Sequence, residues 1–375
     1  MIYLDNAATT KISDNVLSSM LPYLKENYGN ASSLYSLGCD SKKAITKARC
    51  QVAKAINANA NEIYFTSCGS ESDNWALQGI AKKGDHIITS NVEHHAILNT
   101  CKYLESQGVE VTYLPVNSFG EIYPKDVENA IKNNTVLVSI MTANNEIGTI
   151  YPIKKIGAIC KRYNVLFHTD AVQAIGNIPI DVNDMNIDLL SLSGHKFNAP
   201  KGIGALYIRK GIKINNLIYG GQQENKMRAG TENIASIVGL GTAIEDATRD
   251  IESKSLYISS LRDFLYFEIV KNIPDVKLNG LLERRLHNNL NISFNGIEAE
   301  SMLLMLDMKG ICVSAGSACN SNSIEPSYVL KAIGLNTNES IGSIRFSLCK
   351  DNTIQEIEYT TKVIIETVKK LKELY

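Results

Sequence analysis

The sequence predicts an α/β protein built on a largely parallel sheet, with a smaller α+β unit after it. Three observations carry that reading. From about residue 60 to 210, short runs rich in β-branched residues alternate with helix-length segments, as strand and crossover units do. Beyond about residue 272 short strand-like pieces and helices mix without that rhythm. The length, 375 residues, accommodates two or three units that each bury a core, at roughly 100 to 200 residues per domain.

The strand candidates of the first part are Ile63 to Phe65, His86 to Ile88, Val109 to Leu114, Val136 to Met141, Val165 to His168, Leu189 to Leu192 and Ile203 to Ile208. Helical patterns cover Asp14 to Glu26, Ser41 to Ile56, Ser70 to Lys82, Ile153 to Tyr163 and Glu232 to Glu252. A second unit is expected to begin near residue 254, with strands at Val276 to Leu278, Leu290 to Phe294, Ile311 to Val313 and Ser343 to Leu348. The last helix, Thr353 to Leu374, places Ile354, Ile357, Ile364, Val368 and Leu371 on one stripe that should pack onto a core.

Composition narrows the function classes. Apolar residues make up 44% and charged residues 21%, ordinary for a globular chain. With 38 Lys+Arg against 39 Asp+Glu the net charge is −1, which offers no field for nucleic acid or an anionic membrane and leaves small zwitterions open. The eight cysteines contain no CxxC pair, which argues against zinc or a disulfide frame. The start, Met1-Ile2-Tyr3-Leu4-Asp5, lacks the basic and apolar stretches of a secretory leader, and no apolar run reaches a membrane span, so the expected compartment is the reducing cytoplasm.

Three segments could carry chemistry. Phe65-Thr66-Ser67-Cys68-Gly69-Ser70 is a turn of small hydroxyl residues at a strand-to-helix junction. It suits either an ordinary capped helix start or a phosphate on free N–H groups, and it has neither a Walker lysine nor GxGxxG spacing. Phe167-His168-Thr169-Asp170-Ala171-Val172-Gln173 puts an acid at a strand's C-terminal end, where open α/β sheets bind ligands and where the acid could pair with a cationic ring nitrogen or cap the next helix. Ser191-Leu192-Ser193-Gly194-His195-Lys196 carries a lysine in a small-residue turn, either solvated surface or, if desolvated, a Schiff-base former. Lysine, phosphate cup and ring-nitrogen acid together form the set that pyridoxal 5'-phosphate requires.

Tyr3-Leu4-Asp5-Asn6-Ala7-Ala8-Thr9-Thr10, Asn144-Asn145-Glu146-Ile147-Gly148, Ser193-Gly194-His195-Lys196, Arg228-Ala229-Gly230-Thr231-Glu232-Asn233 and Ser314-Ala315-Gly316-Ser317-Ala318-Cys319 follow in order along the chain. With these motifs the chain resembles, nearly end to end, the class V pyridoxal-phosphate enzymes of aminotransferase-like fold, specifically the cysteine desulfurases of the NifS/IscS family. The resemblance implies a large cofactor domain near 14–253 and a small domain made of 1–13 and 254–375. It makes Lys196 the Schiff-base lysine, Asp170 the partner of the pyridine nitrogen, Gln173 the partner of the ring oxygen, and Gly69, Ser70, Ser193 and His195 the phosphate holders. Thr231 would reach the phosphate from the other subunit of a homodimer, and His94 would stack on the ring, flat and able to exchange a proton near neutral pH. Arg345 would grip the substrate carboxylate, and Asn145 would lie between cofactor and substrate.

Cys319 decides the implied reaction. Its small-residue surroundings read as a mobile loop rather than core, so its thiol can become an exposed thiolate. L-cysteine would become L-alanine, with the sulfur held as a persulfide on Cys319 and passed to an acceptor protein, an iron–sulfur scaffold or a tRNA-thiolation enzyme. A selenocysteine lyase, another class V aminotransferase and a non-catalytic sulfur-relay scaffold are the alternatives. Departures from the family pattern are Ala31, Tyr35, Tyr328 and Cys349, an extra thiol near Arg345.

Overall fold

The structure is a computed structural model and describes residues 1–315 and 326–374. After a two-residue strand β1 (Ile2–Tyr3) come β2 (Ile63–Thr66), β3 (His86–Ser90), β4 (Glu110–Leu114), β5 (Thr135–Ser139), β6 (Leu166–Asp170), β7 (Leu189–Ser193) and β8 (Gly204–Ile208). The last seven form one sheet in the order β2-β8-β7-β6-β5-β3-β4. From β4 to β7 all neighbours are parallel, and β8 runs antiparallel to β7 and β2. The expected mostly parallel α/β sheet is what forms.

Successive side chains of a strand point to opposite faces, and both faces of this sheet are covered. Ile87, Leu137, Leu189 and Leu206 pack into one core with Trp75 and Ile97, whereas their chain neighbours Ile88, Val138, Leu190 and Tyr207 join a second core with Val16, Val52 and Leu240. Helices Gly69–Ile80, His95–Ser106 and Ile153–Tyr163 are the crossovers, so each parallel strand delivers its C-terminal end to the same edge.

The remaining strands are β9 (Val276–Leu278), β10 (Asn289–Phe294), β11 (Ile311–Cys312), β12 (Ser314–Ala315) and β13 (Ser343–Ser347). An antiparallel sheet runs in the order β12-β13-β10-β9, and β1 pairs with β11 in parallel. Leu4 joins Leu261, Leu290, Phe346, Ile357 and Ile364 in a third core, so both ends of the chain contribute to it. Val329, Leu330 and Ile333, expected in the small domain of 1–13 and 254–375, pack into the large sheet's second core.

Three expectations are corrected. The helix expected over Glu232 to Glu252 is two: Ile234–Thr248 ends at an extended Arg249, and Asp250, with φ 55°, turns the chain into Ile251–Asn272. The Lys254 ammonium donates to the carbonyls of Asp246 and Ala247 at 2.9 Å each, which satisfies the first helix's last turn and stabilises the break. The single strand expected over Ile311 to Val313 is split between two sheets, β11 and β12. Ile354 stands 36% exposed at the start of the last helix, while Ile357, Ile364, Val368 and Leu371 are buried as the stripe requires.

Trp75 is fully buried, and its indole N–H donates to the Asn215 carbonyl at 2.9 Å. Trp75→Ala is expected to cost about 3–5 kcal/mol, read from the shift of a urea unfolding curve followed by circular dichroism.

Candidate active site

The strand ends supply the site. Asp170 closes β6, and the next strand, β7, ends at Ser193, from which the short turn Gly194–Lys196 projects the lysine. On the other side of β6, two strands away across β5, β3 ends at Ser90 and leads to His94, the cap of helix His95–Ser106. The turn after β2 places Gly69 at the start of its helix, and Arg345 comes in from β13 of the smaller sheet. Their side chains and Ala7, Ala8, Asn145, Gln173 and His195 line one cavity of about 450 Å³.

Lys196 Nζ donates to the carbonyls of Ala7 and Ala8 at 2.7 and 2.8 Å, and Gln173 Nε2 donates to the same Ala7 carbonyl at 3.0 Å. The Asp170 carboxylate accepts the Val172 N–H at 2.8 Å. Burial pushes its pKa up to about 6, against the pull of that N–H and of the Lys196 ammonium. His94 is held neutral: burial first, then Lys196 and His95, lower its pKa to about 4. Its Nδ1 accepts the Ala96 N–H at 3.1 Å, so the ring proton sits on Nε2. His195, lowered to about 4 by burial and by Lys196 and Lys201, meets the Thr9 hydroxyl at 3.1 Å through Nδ1.

Gly69 is required by space. A Cβ there would stand 2.8 Å from Val172 Cγ2 and 3.3 Å from Ser193 Cβ, so the helix N-terminus, Ser193 and the turn after Asp170 close around one small volume. Ser70 is exposed beside it. Arg345 is 4% exposed, and it donates through Nη2 to Asp5 Oδ1 at 2.8 Å and through Nη1 to the Asn145 carbonyl at 3.0 Å. Asn145 Oδ1 is buried without a hydrogen-bond partner.

Of the remaining candidates, Thr231 lies away from this cavity and Cys319 is not among the described residues. Thr231 is exposed and lines a separate hollow with Ser67, Gly202 and Arg228. Arg228 clamps Glu71 at 2.8 and 3.1 Å, and Glu71 accepts the Ser67 N–H at 2.7 Å, which ties the Thr231 segment to the back of the Gly69 turn. Cys319 lies outside the described residues. Pro326, Ser327 and Tyr328 line the cavity.

Several contributors were given no role from the sequence. Glu93, fully buried, accepts the Met141 N–H through both oxygens at 3.0 and 3.1 Å and the Ser90 hydroxyl at 2.7 Å. Burial raises its pKa to about 8. Asp73, on the helix behind the Gly69 turn, is 1% exposed with one oxygen unpartnered, and burial raises it well above the carboxylate range. Glu146, raised to about 7 by burial, accepts the Ser327 hydroxyl at 2.5 Å. Tyr328 donates to the Glu93 carbonyl at 2.5 Å and packs 4.7 Å from the His95 ring. Only their place beside strand ends could have marked these acids. Cys349, with its thiol raised by burial, lines a smaller cavity of about 100 Å³ that Lys196, Lys254 and His287 also touch.

Among the described residues no helix is long and apolar enough to cross a membrane, and no cluster of three or more His, Cys, Asp or Glu could hold a metal ion. The aminotransferase class-V family model matches residues 2–360. The chain is 55% identical to the cysteine desulfurase IscS of Methanosarcina thermophila over 377 residues, covering 100% of this chain and 93% of that protein. It is 50% identical to the cysteine desulfurase IscS of Dictyoglomus turgidum, covering 100% and 96%. A solved NifS-like protein, 39% identical, superposes with a TM-score of 0.92 over 98% of this chain and 99% of that one. SspA in complex with cysteine, 38% identical, gives 0.83 over 94% and 100%. With a family match over most of its length and relatives of this identity across all of it, the chain belongs to the class-V aminotransferase family, within its cysteine desulfurase branch.

Proposed function

We propose that this protein takes L-cysteine to L-alanine with pyridoxal 5'-phosphate on Lys196, moves the sulfur to Cys319 as a persulfide, and hands it to an acceptor protein. The observation that carries the reading is the convergence of Lys196, Asp170, His94 and Arg345, from two sheets, on one cavity. The residues fit the cofactor. The tight volume around Gly69 and Ser193 at a helix N-terminus suits a phosphate, with Ser70 and His195 beside it. Asp170 is buried where a cationic ring nitrogen would repay its desolvation, and Gln173, on the same cavity wall, would hold the ring oxygen. Bound there, the cofactor supplies an electron sink for an amino acid's Cα–H bond.

The chain's own residues do the rest. Lys196, as the neutral amine, accepts and returns the Cα proton, and the Ala7 and Ala8 carbonyls that take its N–H groups orient its Nζ. Asp170 would hold the cofactor's ring nitrogen and keep it charged. Neutral His94 would stack on the cofactor ring, with Nε2–H left to face the substrate because Nδ1 is taken by the Ala96 N–H. Arg345 takes the substrate carboxylate, assisted by the unpartnered Asn145 amide oxygen toward the substrate ammonium. In the sulfur step the Cys319 thiolate attacks the substrate sulfur; the substrate C–S bond breaks, an S–S bond forms, and L-cysteine plus thiol becomes L-alanine plus persulfide. An acceptor thiol or an added reductant then removes the sulfur.

Thr231, turned away from its own cavity, is read as completing the partner's phosphate site in a homodimer. The reducing cytoplasm, where a thiolate and a persulfide survive, is the matching compartment, and acceptors serving iron–sulfur assembly or tRNA thiolation are the matching partners.

The charge balance needs Asp170 ionised and its acidic neighbours neutral, since three buried carboxylates together would repel one another. Glu93 supplies one neutral acid.

Incubation with L-cysteine and a reductant is expected to yield equal alanine and sulfide from the wild type, and Cys319→Ala to lose nearly all sulfide while keeping the cofactor's absorbance. Equal sulfide from both proteins would remove Cys319 from the reaction. Glu93 gives a pH prediction. A carboxyl raised from 4.5 to about 8 holds a proton that the unfolded chain has released, so its contribution to stability falls as pH rises through that window. Glu93→Gln lacks this term. Its unfolding free energy should therefore gain on the wild type's between about pH 5 and 8, by on the order of 1 kcal/mol per pH unit, whereas parallel curves would refute the assignment.

A further inference from the structure

Asp5 has no role in the chemistry above, yet it is the acid that faces the substrate arginine. Its backbone is fastened to the strand that carries Arg345. Ser347 N donates to the Leu4 carbonyl at 2.7 Å, Asn6 N donates to the Ser347 carbonyl at 3.2 Å, and Ala7 N donates to the Ser347 hydroxyl at 2.8 Å. These bonds enclose Asp5, which stands opposite Ser347 in a parallel bridge, two residues beyond Arg345. The carboxylate is therefore delivered to the guanidinium by backbone register, and the Arg345 side chain is 5% exposed and that of Asp5 18%.

The guanidinium has three nitrogens. Asp5 Oδ1 takes Nη2 at 2.8 Å, the Asn145 carbonyl takes Nη1 at 3.0 Å, and Nε is buried without a partner. Two protein acceptors on two nitrogens leave a planar fork a single orientation. A buried N–H without an acceptor is costly, and an arriving carboxylate would relieve that cost.

We propose that Asp5 is a positioning residue for the substrate carboxylate: anchored by the N-terminal strap, it holds Arg345 so that the Nε edge stays available to the α-carboxylate of the amino acid. The inference rests on the reading of Arg345 as the carboxylate-binding arginine. It gives the strap a double task, since the carbonyls of Ala7 and Ala8, two and three residues on, orient Lys196. The groups that bind and deprotonate the substrate are then spaced by one short turn, closed by the Ala8 N–H on the Asp5 carbonyl at 3.0 Å.

The test uses the purified, cofactor-loaded enzyme and follows the cofactor's absorbance on titration with L-alanine and with L-alaninamide, the same molecule without the carboxylate. Asp5→Ala should weaken L-alanine binding about tenfold, the loss of one charge-assisted hydrogen bond, and change L-alaninamide binding less than twofold. Asp5→Asn, which keeps an acceptor at the same atom, should remain within about threefold of the wild type for L-alanine. Asp5→Ser serves as a second truncation, with the same expectation as Asp5→Ala, should the alanine variant fail to fold. Unchanged L-alanine binding in both truncations, or equal losses for the two ligands, would overturn the positioning role. Arg345→Lys separates the premise: wild-type L-alanine binding in that variant shows that the arginine reading itself has failed, whatever the Asp5 variants do.

Discussion

A parallel strand must be reached by a crossover, and each crossover helix returns the chain to the same edge of the sheet, so strand ends accumulate there. On this sheet Asp170 ends β6 and the Lys196 turn leaves β7, its hydrogen-bonded neighbour, which sets an acid and a base one strand apart. The Gly69 turn, the His94 cap and the Asn145 segment open on that edge as well. None of these side chains needs a special local conformation to arrive. The sheet order brings them together, and the burial of both faces by Trp75 on one side and Leu240 on the other keeps that order rigid.

Charge is the second constraint. The cavity wall carries Asp73, Glu146 and Asp170, with Glu93 immediately behind, against the cations Lys196 and Arg345. Burial raises all four acids, which lets the uncharged ones pack without repelling Asp170. The histidines are pushed the other way by the same desolvation and by the Lys196 ammonium, so His94 and His195 stand in the cavity as neutral rings. Arg345 is paired with Asp5, and that pairing depends on the chain's first residues being stitched to β13.

The small-residue turn holding Lys196, the acid at the end of β6 and the glycine turn after β2 were legible because strand-ending turns with chemistry-bearing residues leave a local trace. Asp73 and Glu93 left none, since an isolated acid in a helical or turn segment reads as surface until its neighbours are known. The helix break at Arg249 was hidden for a similar reason. Its carbonyls are satisfied by Lys254, a contact that periodicity does not register.

By itself the sequence determined the alternation of strands and helices, the absence of a strong field, and the presence of a lysine, an acid and a small-residue cup in the order that this chemistry uses, because hydrophobic period and turn composition are local properties. Only the tertiary structure decided which acids are neutral, that Asp5 rather than solvent faces Arg345, and that the N-terminal strap aims Lys196. Those depend on desolvation and on hydrogen bonds spanning up to 340 residues of chain, and neither exists until distant segments are packed together.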